Sequence, residues 1–124
     1  MGVLKEAEIR AAQELAEKIW SSEQWPDCPE QALRKRGISI EERPLSVGWA
    51  RVMSRADLLA GRVYLDNEAI ASYAAECGRS EAQVRRRALA HELGHFLCPN
   101  LSGAAAEAAA DWFAAKYCAS VRNI

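Results

Sequence analysis

Both histidines of the chain fall in one pentapeptide, His91-Glu92-Leu93-Gly94-His95, which reads H-E-x-x-H. An α-helix advances about 100° per residue, so residues four apart stack on one face about one turn apart, and two imidazoles in that register can grip one cation. Glu92, offset by a single step, lies beside such an ion, where a carboxylate takes a proton from a water that the metal activates. Random placement of the chain's histidines and glutamates produces this arrangement at a rate of roughly one or two in a thousand. The competing description is a helix with two satisfied core histidines and a surface glutamate.

A catalytic zinc site takes three protein ligands and keeps one position open, and no third histidine exists. A carboxylate or thiolate must complete the set. Glu107 is the best candidate, because the twelve-residue connection from His95 folds it back onto the same face, and Asp111, one turn further, suits a hydrogen bond to the remaining N–H of a ligating histidine. Cys98 offers a softer His-His-Cys alternative only three residues beyond His95, and Asp66 is a more remote one. The competing description is that Glu107 and Asp111 only solubilise an alanine-rich helix, with Glu107 also favourable at its positive end. Zinc is the expected single ion for a His-His-Glu set, with manganese or iron as substitutes.

The elements that must position these groups can be read from period and punctuation. Residues 3–20 carry an apolar stripe among Glu, Lys and Arg, which predicts an amphipathic helix. Asp27 is a candidate cap for a short helix running to about Arg36 and ended by Gly37, with Arg34-Lys35-Arg36 as its solvated end. Alternation at Ile38 and Ile40, a mixed run over Val47–Met53 and the β-type run Arg62–Asp66 suggest a small sheet of about three strands. Asn67 looks like the cap of a helix that Gly78 stops. Ser80 and Gln83 form a capping box, from which a helix carries Val84, Ala88, His91 and His95 until Cys98-Pro99. A last helix, from about Ala104 to Ser120, is dense in alanine, which permits close approach by a neighbour. The fold class is therefore α+β, one domain over residues 1–124, with a three-stranded sheet packed on helices and the motif helix followed by a ligand-bearing helix.

The chain has 124 residues, 16 basic and 17 acidic, giving a formal charge of -1. That balance provides no general field for nucleic acid phosphates. Arg79 and the run Arg85-Arg86-Arg87 could be offered to nucleic acid, but the run wraps a helix and lacks interleaved aromatics, so it reads as a solvated face. The N-terminus lacks a secretory apolar core and no stretch is long enough to cross a bilayer, so a cytoplasmic, membrane-free protein is expected. Cys28, Cys77, Cys98 and Cys118 form no C-x-x-C pair and are expected to be reduced and mostly buried. Trp49 and Trp112 are candidates for a partner surface or for the core.

The segment Arg87-Ala88-Leu89-Ala90-His91-Glu92-Leu93-Gly94-His95, followed by Glu107-Ala108-Ala109-Ala110-Asp111-Trp112-Phe113-Ala114-Ala115, resembles the ImmA/IrrE family of small metallopeptidases. In that family an A-H-E-L-G-H helix precedes an E-x-x-A-N/D-x-F-A-A helix. The likeness spans roughly residues 27–116 and includes the Gly37–Ile40 and Arg62–Asp66 strand signals. It departs at Lys116-Tyr117-Cys118-Ala119-Ser120, where the family usually has a Leu-Leu-Met-Pro-like stretch. The resemblance implies a zincin-like fold, His91, His95 and Glu107 as zinc ligands, Glu92 as general base, and a helix-turn-helix repressor as the protein substrate. With the sequence stopping at Ile124, the further sensory or DNA-binding domain of longer relatives is expected to be absent.

The expected reaction is hydrolysis of a peptide bond, with Glu92 passing the proton on to the leaving amine. The Arg62–Asp66 strand is a candidate cleft wall for strand addition by the substrate, and Tyr64, Tyr73, Tyr117 or a nearby arginine is a candidate donor to the developing oxyanion. The alternative is a metal-binding module that regulates a repressor by binding without cutting.

Overall fold

The computed structural model describes residues 2–119; of Gly2, Val3 and Leu4 it gives the backbone only. The order of elements is α1 (Gly2–Ser21), α2 (Pro29–Lys35), β1 (Ser39–Glu42), β2 (Ser54–Asp57), β3 (Arg62–Leu65), α3 (Asn67–Cys77), α4 (Glu81–Leu97) and α5 (Gly103–Ala119). The predicted last helix begins one residue early, and its expected end at Ser120 lies outside the described residues.

Three strands form one sheet in the order β1-β3-β2, with β1 parallel and β2 antiparallel to the central β3. Val63 and Leu65 of this central strand enter the main apolar cluster, while Tyr64, on the opposite face, is buried with the Arg43 guanidinium 4.3 Å from its ring centroid. Two sequence expectations are corrected here. The second strand is Ser54–Asp57, because the Val47–Met53 segment holds a tight turn in which Val47 and Ala50 exchange backbone hydrogen bonds at 3.1 and 3.0 Å. The Arg62–Asp66 run is the middle of the sheet, so both its edges are taken; the outer edge beside α4 belongs to β2.

Capping also differs at two helices. Cys28 occupies the cap position of α2 without a side-chain bond, since Pro29 opens the helix with its fixed φ and needs no donor satisfied; Asp27 instead offers its backbone carbonyl to Arg86 at 2.6 Å. At α3 the cap is Asp66, one residue before Asn67, and its Oδ1 accepts from the Ala69 amide at 3.1 Å. The other oxygen, Oδ2, accepts from the amides of Leu45 and Ser46 and from the Ser46 hydroxyl, tying the β1–β2 connection to the β3–α3 junction. These amides hold the Asp66 carboxyl below its ordinary range, which explains a buried acid that the sequence left as a distant ligand candidate. The Ser80/Gln83 capping box is present in both directions, and Gly78 ends α3 in the left-handed conformation at φ 64°.

Two apolar clusters hold the elements together. One packs β3, α2 and α3 around Leu89 and Leu93 of α4; the other joins Ala12 and Ala16 of α1 to Ala109 and Phe113 of α5. Trp20 stacks on Trp25 and meets Trp112, Phe113 and Tyr117 edge-on, so Trp112 is packed against its neighbours while Trp49 is fully exposed. The expectation of mostly buried thiols is corrected: all four cysteines are free, but only Cys98 is buried and Cys77 is exposed. Among the described residues no helix is long and apolar enough to cross a membrane.

Candidate metal centre

Helix α4 is buried along Val84, Ala88, Leu89, Glu92 and Leu93, which leaves His91 and His95 at the margin where α5 runs alongside. The pairing of these helices is close because Gly94 has no side chain. A Cβ placed there would lie 2.6 Å from the Ala110 Cα, closer than a real Cβ sustains against backbone, and a tight 3.3 Å from the Ala109 carbonyl oxygen. Alanines 106, 109 and 110 of α5 are buried on the facing side. With so little between the helices, acidic groups on α5 reach the imidazoles of α4.

The resulting geometry is a triangle. Nε2 of His91 and Nε2 of His95 are 3.2 Å apart, and Oε2 of Glu107 lies 3.0 Å from the first and 3.4 Å from the second. Each imidazole nitrogen carries at most one proton in the ring plane, so hydrogen bonds cannot serve all three edges at once. Ligands about 2.1 Å from a tetrahedral ion sit roughly 3.4 Å from one another, so these three atoms are spaced as the corners around a small divalent cation. The donor set therefore fits zinc.

Behind the triangle, Oδ1 of Asp111 is 3.0 Å from Nδ1 of His91. A carboxylate there holds the Nδ1–H tautomer and leaves the Nε2 lone pair facing the site. His91 and His95 are about a quarter exposed and Glu107 and Asp111 more so, which leaves the centre open to solvent on the α5 side. Glu92 is different: it is 4 % exposed, has a carboxylate oxygen within 4.8 Å of a ring nitrogen of each histidine, and accepts a 2.5 Å hydrogen bond from Ser54 Oγ at the start of β2. Its carboxylate could also ligate an ion, but Glu107 is the acid in ion-pair contact with both rings.

The remaining candidates separate clearly. Cys98 caps α4 and is buried among Ala12, Ala16, Ala109 and Phe113, where burial raises its thiol pKa. Asp66 is occupied by backbone amides. Tyr64 is buried in β3, and Tyr117 is buried with its hydroxyl pushed up to about 12, whereas Tyr73 lines the same groove as His91 and Glu92. Arg85 pairs with Glu30, holding that carboxyl below its ordinary range, and Arg86 donates to the Tyr117 and Asp27 carbonyls. Ser54 is the partner that sequence reasoning missed; a lone serine in a short polar strand carries no signal until β2 is placed against α4. Comparison of the chain with protein-family models, curated proteins and solved structures returned no match.

Proposed function

We propose that this chain is a zinc-dependent endopeptidase of the ImmA/IrrE type that hydrolyses a peptide bond in a helix-turn-helix repressor or a similar regulatory protein, in the cytoplasm. The observation that carries the proposal is the triangle of His91 Nε2, His95 Nε2 and Glu107 Oε2 with the buried Glu92 carboxylate beside it. Both the H-E-x-x-H spacing and the downstream acid support it.

A bound zinc ion supplies Lewis acidity, lowering the pKa of water towards about 7 and polarising the scissile carbonyl. The chain supplies the rest. Glu92 takes the proton of the attacking water and returns it to the departing amine. Ser54 occupies one oxygen of that carboxylate, fixing its rotation and leaving the other oxygen for the proton. Asp111 orients His91. The outer edge of β2, which has no strand partner among the described residues, runs from Ser54 beside the site and suits an extended substrate that adds a strand.

The deciding experiment compares wild type and Glu92→Gln, both loaded with zinc, on a fluorescence-quenched peptide library, with metal content measured in parallel. Equal metal and loss of cleavage in the variant are the expected result. Equal cleavage by both, or none by the loaded wild type, would replace the peptidase with a metal-binding module that acts on its partner without cutting.

A further inference from the structure

A groove of about 670 Å³ opens from His91 and Glu92 along α4 towards its N-terminus. Its walls carry Met53, Tyr73, Val84 and Ala88, and its charged groups other than Glu92 are all arginines: Arg79, Arg86 and Arg87. Arg86 is committed to the backbone carbonyls of Asp27 and Tyr117. Arg79 and Arg87 are exposed, and neither belongs to an ion pair among the described residues, although Arg34, Arg36, Arg51, Arg62 and Arg85 all do. In a chain of net charge -1, two uncompensated guanidinium groups in one concavity concentrate positive potential there.

We propose that this groove docks an extended peptide segment bearing acidic side chains, with Arg87 and Arg79 as the residues that select them. Arg87 is one turn before His91, about 6 Å along the helix axis. An extended chain covers about 3.3 Å per residue, so Arg87 meets a carboxylate about two residues from the scissile bond. Arg79, beyond the capping box and about 12 Å further along, meets one about four residues further out. Guanidinium forks bind carboxylates in paired hydrogen bonds, which makes the contact selective for acids over amides. The apolar walls favour a peptide over a nucleic acid, because Met53, Val84 and Ala88 offer side-chain packing, and the Tyr73 ring already has the Arg51 guanidinium 5.3 Å from its centroid. Naming the occupant a substrate rests on the peptidase reading; the acid-binding groove itself does not.

The test is fluorescence anisotropy on the full chain in chelator, so that binding is read without hydrolysis. The probes are labelled alternating Ala-Glu, Ala-Gln and Ala-Lys decapeptides and an oligothymidine of similar length. The Ala-Glu peptide should bind about tenfold or more tightly than Ala-Gln, and the preference should shrink with added salt. Arg79→Gln/Arg87→Gln should abolish the preference, and Arg79→Glu/Arg87→Glu should transfer it to Ala-Lys. Both sites are exposed, and melting curves verify that the variants fold. Equal affinity for Ala-Glu and Ala-Gln, persistence of the preference in the double Gln variant, or tighter binding of the oligonucleotide would each overturn the proposal. Acid preference without hydrolysis would sink the peptidase reading alone; hydrolysis without acid preference would sink only this one.

Discussion

Nδ1 of His91 and Oδ1 of Asp111 lie 3.0 Å apart across the seam between α4 and α5. The contact ties an imidazole that faces the centre to a carboxylate on the helix that also carries Glu107. Asp111→Ala should lower zinc affinity by about 10–100-fold, read by competition with a chromophoric chelator, with little change in melting temperature of the metal-free chain. An unchanged affinity would assign Asp111 to solubility alone.

Glu107 and Cys98 make opposite predictions as third ligands. Glu107→Ala should leave purified protein with little zinc, whereas Cys98→Ala should retain it, because Cys98 is enclosed by α1 and α5 side chains. Elemental analysis of the three proteins side by side decides the matter.

Ser54 bears on catalysis through Glu92. Removing a hydrogen bond to a charged group costs about 1.5–3 kcal/mol, so Ser54→Ala should reduce kcat by roughly tenfold to a hundredfold while zinc content stays at the wild-type level. Rescue by Ser54→Thr, which restores the hydroxyl, separates a positioning role from a general loss of structure.

Gly94→Ala sets two effects against each other. Alanine favours helix by up to about 1 kcal/mol, but the added Cβ meets the Ala110 backbone at 2.6 Å, and overpacking of that kind costs about 1–3 kcal/mol. The collision should prevail, giving a lower melting temperature and weaker zinc binding together.

Asp66 should govern stability in acid. Its folded-state carboxyl is held below the ordinary value, first by the amides of Leu45 and Ala69. Its contribution is therefore complete above about pH 3.9, the unfolded value, and is lost as pH falls through the lower folded value. Asp66→Asn should be less stable near neutrality, with a flatter loss of urea midpoint between about pH 5 and pH 2. Equal acid profiles in the two proteins would remove Asp66 from the linkage.

The legibility of these features in the sequence follows from their range. His91, His95, the capping box and the Gly78 stop depend on residues a few positions apart, so helical spacing reveals them. The α+β class follows from the same periodicity. Ser54 touching Glu92 depends on where a four-residue strand lands, 38 positions away in the chain, and short polar strands have little pattern of their own. Asp66 and Asn67 are both good caps, and the choice between them was made by the Leu45 and Ser46 amides, which arrive from a distant loop. Arg62–Leu65 reads as a strand, but its central place is set by pairing with β1 and β2.

The main-chain contact at Gly94 fixes the spacing of the donors. Where two helices meet without an intervening side chain, the seam has no compliant layer, so the backbones that carry the imidazoles and Glu107 hold their separation. An ion bound there would enter and leave by rotation of the exposed Glu107 side chain. Affinity should then respond to any residue that spreads the seam, while exchange stays fast because neither helix has to move.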